Sequence, residues 1–336
     1  MINKIYEKIK EFIKLNYKFL LFLLFICFLF TYELPYVVYT PGGIVPLEKR
    51  IKIDNEKTSE GSLNMSYVSL RKGTIPVVLL SYVVPNWDLK KEKDVASSNS
   101  SVDDLLRLEK IYMQTSIDNA TLVAYQKAGK NVDIKSSSNH VVYIDKKSNT
   151  DIQKYDVLVS AEEEKIEDIN DLRSIINKHQ AEDNIKVQVL RNGKKRNCTA
   201  KIYDDNGTLK IGIAFITTYE YNTDPKISIK TKSSESGSSG GLMLALAIYN
   251  KLNDDNITKG YKVVGTGTIE KDGKVGAIDG VKYKLLGASK NHGDIFLCPK
   301  ENLEEAKKVK EKYNLSIPVF GVSTFDEALS ILENFK

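Results

Sequence analysis

The chain has 336 residues, 42% of them apolar and 28% charged, a length that holds about two domains with buried cores. Of its net charge of +5, +3 sits in residues 1–18, where Lys4, Lys8, Lys10, Lys14 and Lys18 outnumber Glu7 and Glu11. The remainder interleaves both signs without a basic stripe, which excludes nucleic acid as a partner.

Twelve apolar residues follow that tail, "FLLFLLFICFLF" from Phe19 to Phe30. With Leu34 and "YVVY" the apolar character reaches Tyr39, so that 19–39 supplies 21 residues, about the 20 a membrane-spanning helix needs. No small-x-small cleavage site follows, which favours an uncleaved single-pass anchor over a removable signal peptide. The lysines ahead of it place residues 1–18 in the cytoplasm as a basic tail and the rest outside.

Next come "YTPGGIVPLEKR", an extended lead-in broken by Pro41, Gly42, Gly43 and Pro46, then "GSLNMSYVSL", whose alternation predicts a strand, then "IPVVLLSYVV", a second apolar run. Lys90 to Asp104 is charged and serine-rich and reads as a surface loop. From Ser101 the spacing of Leu105, Leu108, Ile111, Tyr112, Ile117 and Ala120 predicts a helix that ends at Gly129 as its C-cap.

Between 131 and 202, "HVVYI" predicts a strand and "KYDVLVSAEEEKI" a strand pair with an acidic turn. "DINDLRSIINKH" predicts a helix capped by Asn170 or Asp171, and "NIKVQVLRNGKKRNCTAKI" a hairpin turned at Asn192-Gly193. This order resembles a PDZ domain of the bacterial protease-associated type. It departs from that pattern at Tyr155-Asp156, where a glycine usually precedes the aspartate, and at the loop "KSSSNH". The resemblance implies peptide binding by strand addition along Val141, Val142, Tyr143 and Ile144, with the helix Asp171–Lys178 across the groove. Simple packing against a neighbouring domain is the alternative.

The chemistry concentrates in "SSESGSSGGLMLALAIYNKL". Strand-like "KISIKTKSS" leads in and an apolar helix, Leu242–Leu252, leads out, while Gly237, Gly240 and Gly241 permit a tight turn. Ser239 stands beside that helix's N-terminus, whose free N–H groups favour a developing oxyanion. The serine needs a base. "G-S-S-G-G" satisfies the G-x-S-x-G elbow of esterases, for which only His292, with Asp294 after it, lies downstream. The other base is Lys282, in the first turn of a helix beginning at "DGVKYKLLGA". Burial and the positive end of a helix dipole turn such a lysine into a base near neutral pH.

Ser239 in "S-G-S-S-G-G-L", followed by Lys282 in "A-I-D-G-V-K-Y-K-L-L-G-A", resembles the serine–lysine proteolytic domain of the Lon family. There the serine lies in G-P-S-A-G and the lysine in P-I-G-G-L-K-E-K. The likeness continues through "GTGTIEKDGKVGAI", "GDIFLCPKENLEEA" and "VSTFDEAL", and upstream through "YMQTSIDNATLVAYQKAG" and "GSLNMSYVSL". It implies an α+β fold: a Lon-type proteolytic domain with a PDZ-like domain inserted, behind a transmembrane helix. The segments are a tail (1–18), an anchor (19–39), the lead-in and first part of the Lon-like domain (40–128), the PDZ-like domain (129–205) and the remaining Lon-like domain with the dyad (206–336).

Three positions depart from the family pattern: Ser238 for proline, Gly240 for alanine, and Ser236 where ATP-dependent members carry an acid. Ser238 thereby becomes a second candidate nucleophile, while backbone N–H groups near Ser238 and Gly240 would hold the oxyanion. Thr266, in "G-T-G-T-I", matches a family threonine that would hydrogen-bond the lysine. No G-x-x-x-x-G-K-[ST] phosphate loop occurs, so neither ATP nor another cofactor is expected. Cys198 and Cys298 fit no metal spacing and either pair or remain free thiols; with His140, His179 and His292 far apart, no metal site is expected.

The reading is an ATP-independent serine endopeptidase on the outer face of a bacterial membrane, acting on peptides or unfolded, exposed protein segments. The ring-forming habit of Lon domains leaves a homo-oligomer open. The rival readings are an inactive PDZ scaffold that binds peptides and the Ser-His hydrolase.

Overall fold

The computed structural model describes residues 2–54, 60–95, 102–232, 235, 237–253 and 255–336. Residues 96–101 of the expected surface loop, and Ser233, Ser234 and Ser236 ahead of the candidate nucleophile, lie outside them.

Helix α1 (Ile2–Thr31) contains one stretch long and apolar enough to cross a membrane, Ile5–Thr31. At 1.5 Å per residue its 30 residues reach about 45 Å, more than the ~30 Å of a bilayer core. The helix stops short of the expected span 19–39. Pro35 cannot donate to a helical ladder and Val37 and Val38 favour extended backbone, so the chain turns at once into strand β1 (Glu33–Pro46), where Val38 is fully buried. The length is made up at the other end, where Ile13 and Leu15 continue the helix alongside Lys14 and Lys18.

After β2 (Ile51–Ile53), strand β3 (Ser62–Thr74) runs back antiparallel to β1. The apolar run that follows becomes helix α2 (Ile75–Ser81), because Pro76 sits in its first turn, where a missing N–H costs nothing. Strand β4 (Asp88–Lys91) then pairs with the outer side of β1, and a single turn, α3 (Glu92–Val95), follows. The long helix α4 (Val102–Lys127) closes at Gly129, with the Lys130 N–H donating to the Tyr125 carbonyl at 2.9 Å.

The inserted domain comprises β5 (Asn131–Ile144), β6 (Val157–Ala161), β7 (Glu164–Lys165), α5 (Ile169–Ile176), β8 (Asn184–Arg191), β9 (Lys194–Lys201), β10 (Tyr203–Asp204), β11 (Leu209–Lys210) and β12 (Ile213–Asp224). Its sheet runs β12-β5-β6-β8-β9 over a core that includes Val141, Leu158, Leu172, Ile175, Val187 and Ala200. The domain therefore extends past the expected boundary at 205, since its edge strand β12 ends at Asp224. The α5 cap is Asp168, not Asn170 or Asp171. Its carboxylate accepts from the Asn170 N–H at 2.7 Å, and Asp171 returns the bond in a capping box.

Tyr155, standing where a glycine was expected, adopts φ +71° with the Arg107 guanidinium 4.3 Å from its ring centroid. That turn delivers Asp156, 1% exposed, to a two-bond pair with Arg191 at 2.9 and 2.7 Å. Arg191→Ala would strand this carboxylate. The variant is expected to lose about 3 kcal/mol from the inserted domain, read as earlier unfolding in urea.

Strand β13 (Ile227–Ile229) pairs with β2 and leads to helix α6 (Gly241–Leu252), whose residues are buried from Gly241 to Ile248. Fully buried Leu242, Met243, Leu246 and Ile248 each contribute about 2 kcal/mol. Then come β14 (Lys262–Gly265), α7 (Val281–Lys290), β15 (Ile295–Pro299), α8 (Leu303–Lys312), β16 (Val319–Val322) and α9 (Phe325–Asn334). The sheet order is β16-β15-β14-β3-β1-β4, parallel from β16 to β3, with α7 and α8 as crossovers. Cys298 is buried in this unit and Cys198 in the inserted one, and both are free thiols.

Candidate active site

Ser238 and Ser239 lie in the turn that opens α6. Helix α4 holds one side of the turn: the Ser116 hydroxyl donates to the Ser238 carbonyl at 3.1 Å, and the Gly237 N–H donates to the Glu109 carbonyl at 3.3 Å. The end of β14 holds the other side. The Ser239 carbonyl accepts from the Gly267 N–H at 2.8 Å and from the Thr266 hydroxyl at 3.0 Å. The amides of Ser239 and Gly240 donate to no described residue and stand at the positive end of α6.

Gly240 replaces the family's alanine for a steric reason. A Cβ there would come within 2.0 Å of the Met65 sulfur, which already fills the space from β3. Gly240→Ala is expected to lower kcat/KM about tenfold by displacing the turn. Pairing it with Met65→Ala should restore most of the rate, which a kinetic double-mutant cycle would read.

The structure separates the two lysines of "VKYK". Lys282 lies on the outer side of α7, with its Nζ 2.5 Å from the Asp88 carboxylate of β4. Burial works against the Asp88 charge, but the bonds from Lys282 and the Tyr283 hydroxyl outweigh it and hold the carboxyl below its usual range. That contact turns the Lys282 amine toward β4 and away from the serine turn, so the geometry does not support the role expected for Lys282. Lys284 faces inward instead and is 4% exposed. Its Nζ donates to the Thr266 hydroxyl at 3.1 Å, the hydroxyl that in turn bonds the Ser239 carbonyl. Burial pushes the Lys284 amine down to about 8, against a smaller upward pull from Asp279. Thr266, fully buried at the end of β14, thus links the serine turn to Lys284.

Ser239 and Gly240 border a cleft of about 430 Å³, lined also by Val45 of β1, Met65 and Tyr67 of β3, and Met113 of α4. Arg50 and Glu235 pair at the same cleft. Partial burial raises the Glu235 carboxyl, yet the hydrogen bond from Arg50 prevails and leaves it below the ordinary range.

His292 is exposed beyond the far end of α7, eight residues and about 12 Å of helix rise from Lys284. It does not border the cleft, and Asp294 is occupied by the Lys262 N–H. Among the described residues the geometry assembles no serine–histidine pair. Among the described residues no cluster of His, Cys, Asp and Glu could hold a metal ion.

In the inserted domain, Val141–Ile144 were expected to present a free strand edge. They do not, because β5 is an inner strand: Ile144 faces Ile213, Tyr143 faces Ala214 and Val141 faces Phe215 on β12, while Val141 also bonds Tyr155 and Asp156 on its other side. The edge strand on this side of the sheet is β12, and β9 stands at the other. No described strand pairs with the outer side of β12, and Ile213 and Phe215 pack on the core beside Leu172 and Ile175 of α5.

Comparison with known families agrees with both halves. The Lon protease (S16) C-terminal proteolytic domain matches residues 228–333, and the PDZ domain matches residues 132–202. The chain carries a Lon-type proteolytic domain and a PDZ domain. Similar relatives include the Lon protease of Haemophilus influenzae, 33% identical over 99 residues (29% of this chain, 12% of the relative). Another is the Lon protease of Roseiflexus castenholzii, 35% identical over 94 residues (28% and 11%). The matched part thus spans about an eighth of those relatives' length. Among solved structures, the PDZ domain of an SdrC-like protein from Listeria monocytogenes is 17% identical. It covers 23% of this chain and 86% of that one, with a TM-score of 0.21. The Lon match encloses Ser239, Thr266, Lys282 and Lys284 together.

Proposed function

We propose that the protein is an ATP-independent serine endopeptidase in which Ser239 is the nucleophile and Lys284 the general base. The observation that carries this reading is the buried chain of contacts from Lys284 through Thr266 to the carbonyl of Ser239. A neutral Lys284 takes the Ser239 hydroxyl proton as the oxygen attacks the scissile carbonyl, then returns it to the leaving amine. The resulting oxyanion meets the amides of Ser239 and Gly240 at the α6 N-terminus. Thr266 positions Lys284, and its bond to the serine carbonyl keeps the two groups in step.

The same reading places α1 across a bacterial membrane, the basic tail in the cytoplasm and the protease outside. Substrates enter the cleft as extended chain, which suits peptides and unfolded or exposed segments. The PDZ domain supplies the start of β12, ahead of Tyr219 whose N–H is taken by Asp118 of α4, for strand addition, the mode by which such domains hold peptides.

The test is incubation of the full chain, in detergent micelles and without nucleotide, with an unfolded reporter polypeptide, its fragments followed by mass spectrometry. Fragments that appear without nucleotide are expected. A reporter that binds yet stays intact would return the chain to the class of peptide-binding scaffolds.

A further inference from the structure

β1 begins two residues after α1 ends, so no linker separates the apolar helix from the catalytic sheet. Its first residue, Glu33, faces Thr74 in the ladder with β3, and the Lys72 ammonium pairs with the Glu33 carboxylate at 2.8 Å. β1 leads away from α1, so antiparallel β3 leads back toward it, and α2 starts at the level where α1 ends. Helix α2 packs against α1 there.

That return segment is unlike the rest of the surface. From Gly73 to Trp87 there are fifteen residues without a charge. Leu79, Leu80, Tyr82 and Val83 are 63, 46, 77 and 79% exposed, and α2 buries none of its residues. Exposed basic residues flank it on both sides: Arg71 and Lys72 ahead, Lys90 and Lys91 behind. The Arg71 guanidinium lies 5.2 Å from the ring centroid of Trp87. Apolar tip, aromatic side chains and basic collar follow one another in the order in which a bilayer offers hydrocarbon, interface and anionic headgroups.

We infer that α2 and the turn through Trp87 form a second membrane contact, dipping into the outer leaflet beside α1 and holding the catalytic sheet at a fixed orientation to the lipid. The inference rests on the anchoring of α1 proposed above. Leu79, Leu80, Tyr82 and Val83 supply the inserted surface; Arg71, Lys90 and Lys91 meet lipid phosphates.

Trp87 is the only tryptophan in the chain, so its emission reports this segment alone. The full chain is reconstituted into vesicles of phosphatidylethanolamine and phosphatidylglycerol, with and without bromine on the acyl chains. Brominated lipid is expected to quench Trp87 about twofold, aqueous iodide to quench it little, and Leu79→Asp with Val83→Asp to reverse that order. A chain that stays with the vesicles while iodide alone quenches Trp87 would overturn this inference and leave the anchor standing. Protection from both quenchers would also overturn it, assigning the patch to a protein partner or a second copy. A chain recovered free of vesicles would overturn the anchor and this inference together.

Discussion

Lys284→Met is expected to abolish peptide cleavage, with kcat/KM falling by about 10³-fold or more, while Lys282→Met is expected to keep the rate within about threefold. Only Lys284 is sealed from water and joined to the serine turn through Thr266; Lys282 spends its charge on Asp88 at the surface. Losing that half-exposed pair costs about 1 kcal/mol or less. The pH profile carries the same distinction. A lysine lowered to about 8 is protonated and inactive below that pH, so kcat/KM of the native enzyme should climb about tenfold per unit and level off above pH ~8.

The stability of the fold responds to pH in the same direction, over the window just above. The Lys284 amine is depressed from 10.5 to about 8, so the buried ammonium penalises the folded state fully below pH ~8, and the penalty fades as pH rises toward the unfolded value. At neutral pH, Lys284→Met should therefore stabilise the protein by an amount on the order of 2–3 kcal/mol while removing activity. A variant that is inactive and less stable would instead indicate general damage. Denaturant titration at pH 7 beside the rate assay separates the two.

Ser239→Ala should lower cleavage by at least about 10⁴-fold and leave the midpoint of thermal unfolding almost unchanged. The turn is held through the Ser239 carbonyl and not its hydroxyl, so alanine keeps every bond that shapes the loop. Ser238→Ala serves as its control. Ser238 also contributes its carbonyl, to the Ser116 hydroxyl, and that variant should retain activity within a few-fold. If the two alanine variants exchanged phenotypes, the nucleophile would be Ser238. Peptide binding should survive in Ser239→Ala, since the PDZ edge and most of the cleft are untouched.

The elements with strong local signals could be read before any coordinates: the apolar α6 behind a glycine turn, the α4 helix ending at Gly129, and the Asn192-Gly193 hairpin. The proposed base could not be chosen from its position in the first turn alone. Its signal lay in periodicity: Val281, Lys284, Leu285 and Ala288 recur at helical spacing and form the buried stripe of α7, so one lysine sits where an apolar residue belongs. Lys282 and Leu286 share the less buried side. The anchor boundary was hidden because "YVVY" is equally apolar in a bilayer and in a sheet, and only Pro35 argued for the sheet. The pairing partner of "HVVYI" was hidden for a topological reason. Which strand stands at an edge depends on pairings across some eighty residues, and no local pattern in "HVVYI" reports that β12 will cover it.

The ladder between β5 and β12 has one further consequence. Its last rung sets Asn131 directly opposite Asp224, so the whole segment between them leaves and re-enters the protease through neighbouring backbone positions about 5 Å apart. In construction terms it is a plug-in cassette: a short reverse turn could bridge the two cut points, and the main contact to replace is the one from the Tyr219 N–H to buried Asp118 of α4. A proteolytic domain wired this way could gain, lose or exchange its PDZ attachment as a single piece, leaving the Ser239 turn and buried Lys284 in place. Substrate choice and bond cleavage can then diverge separately over evolutionary time.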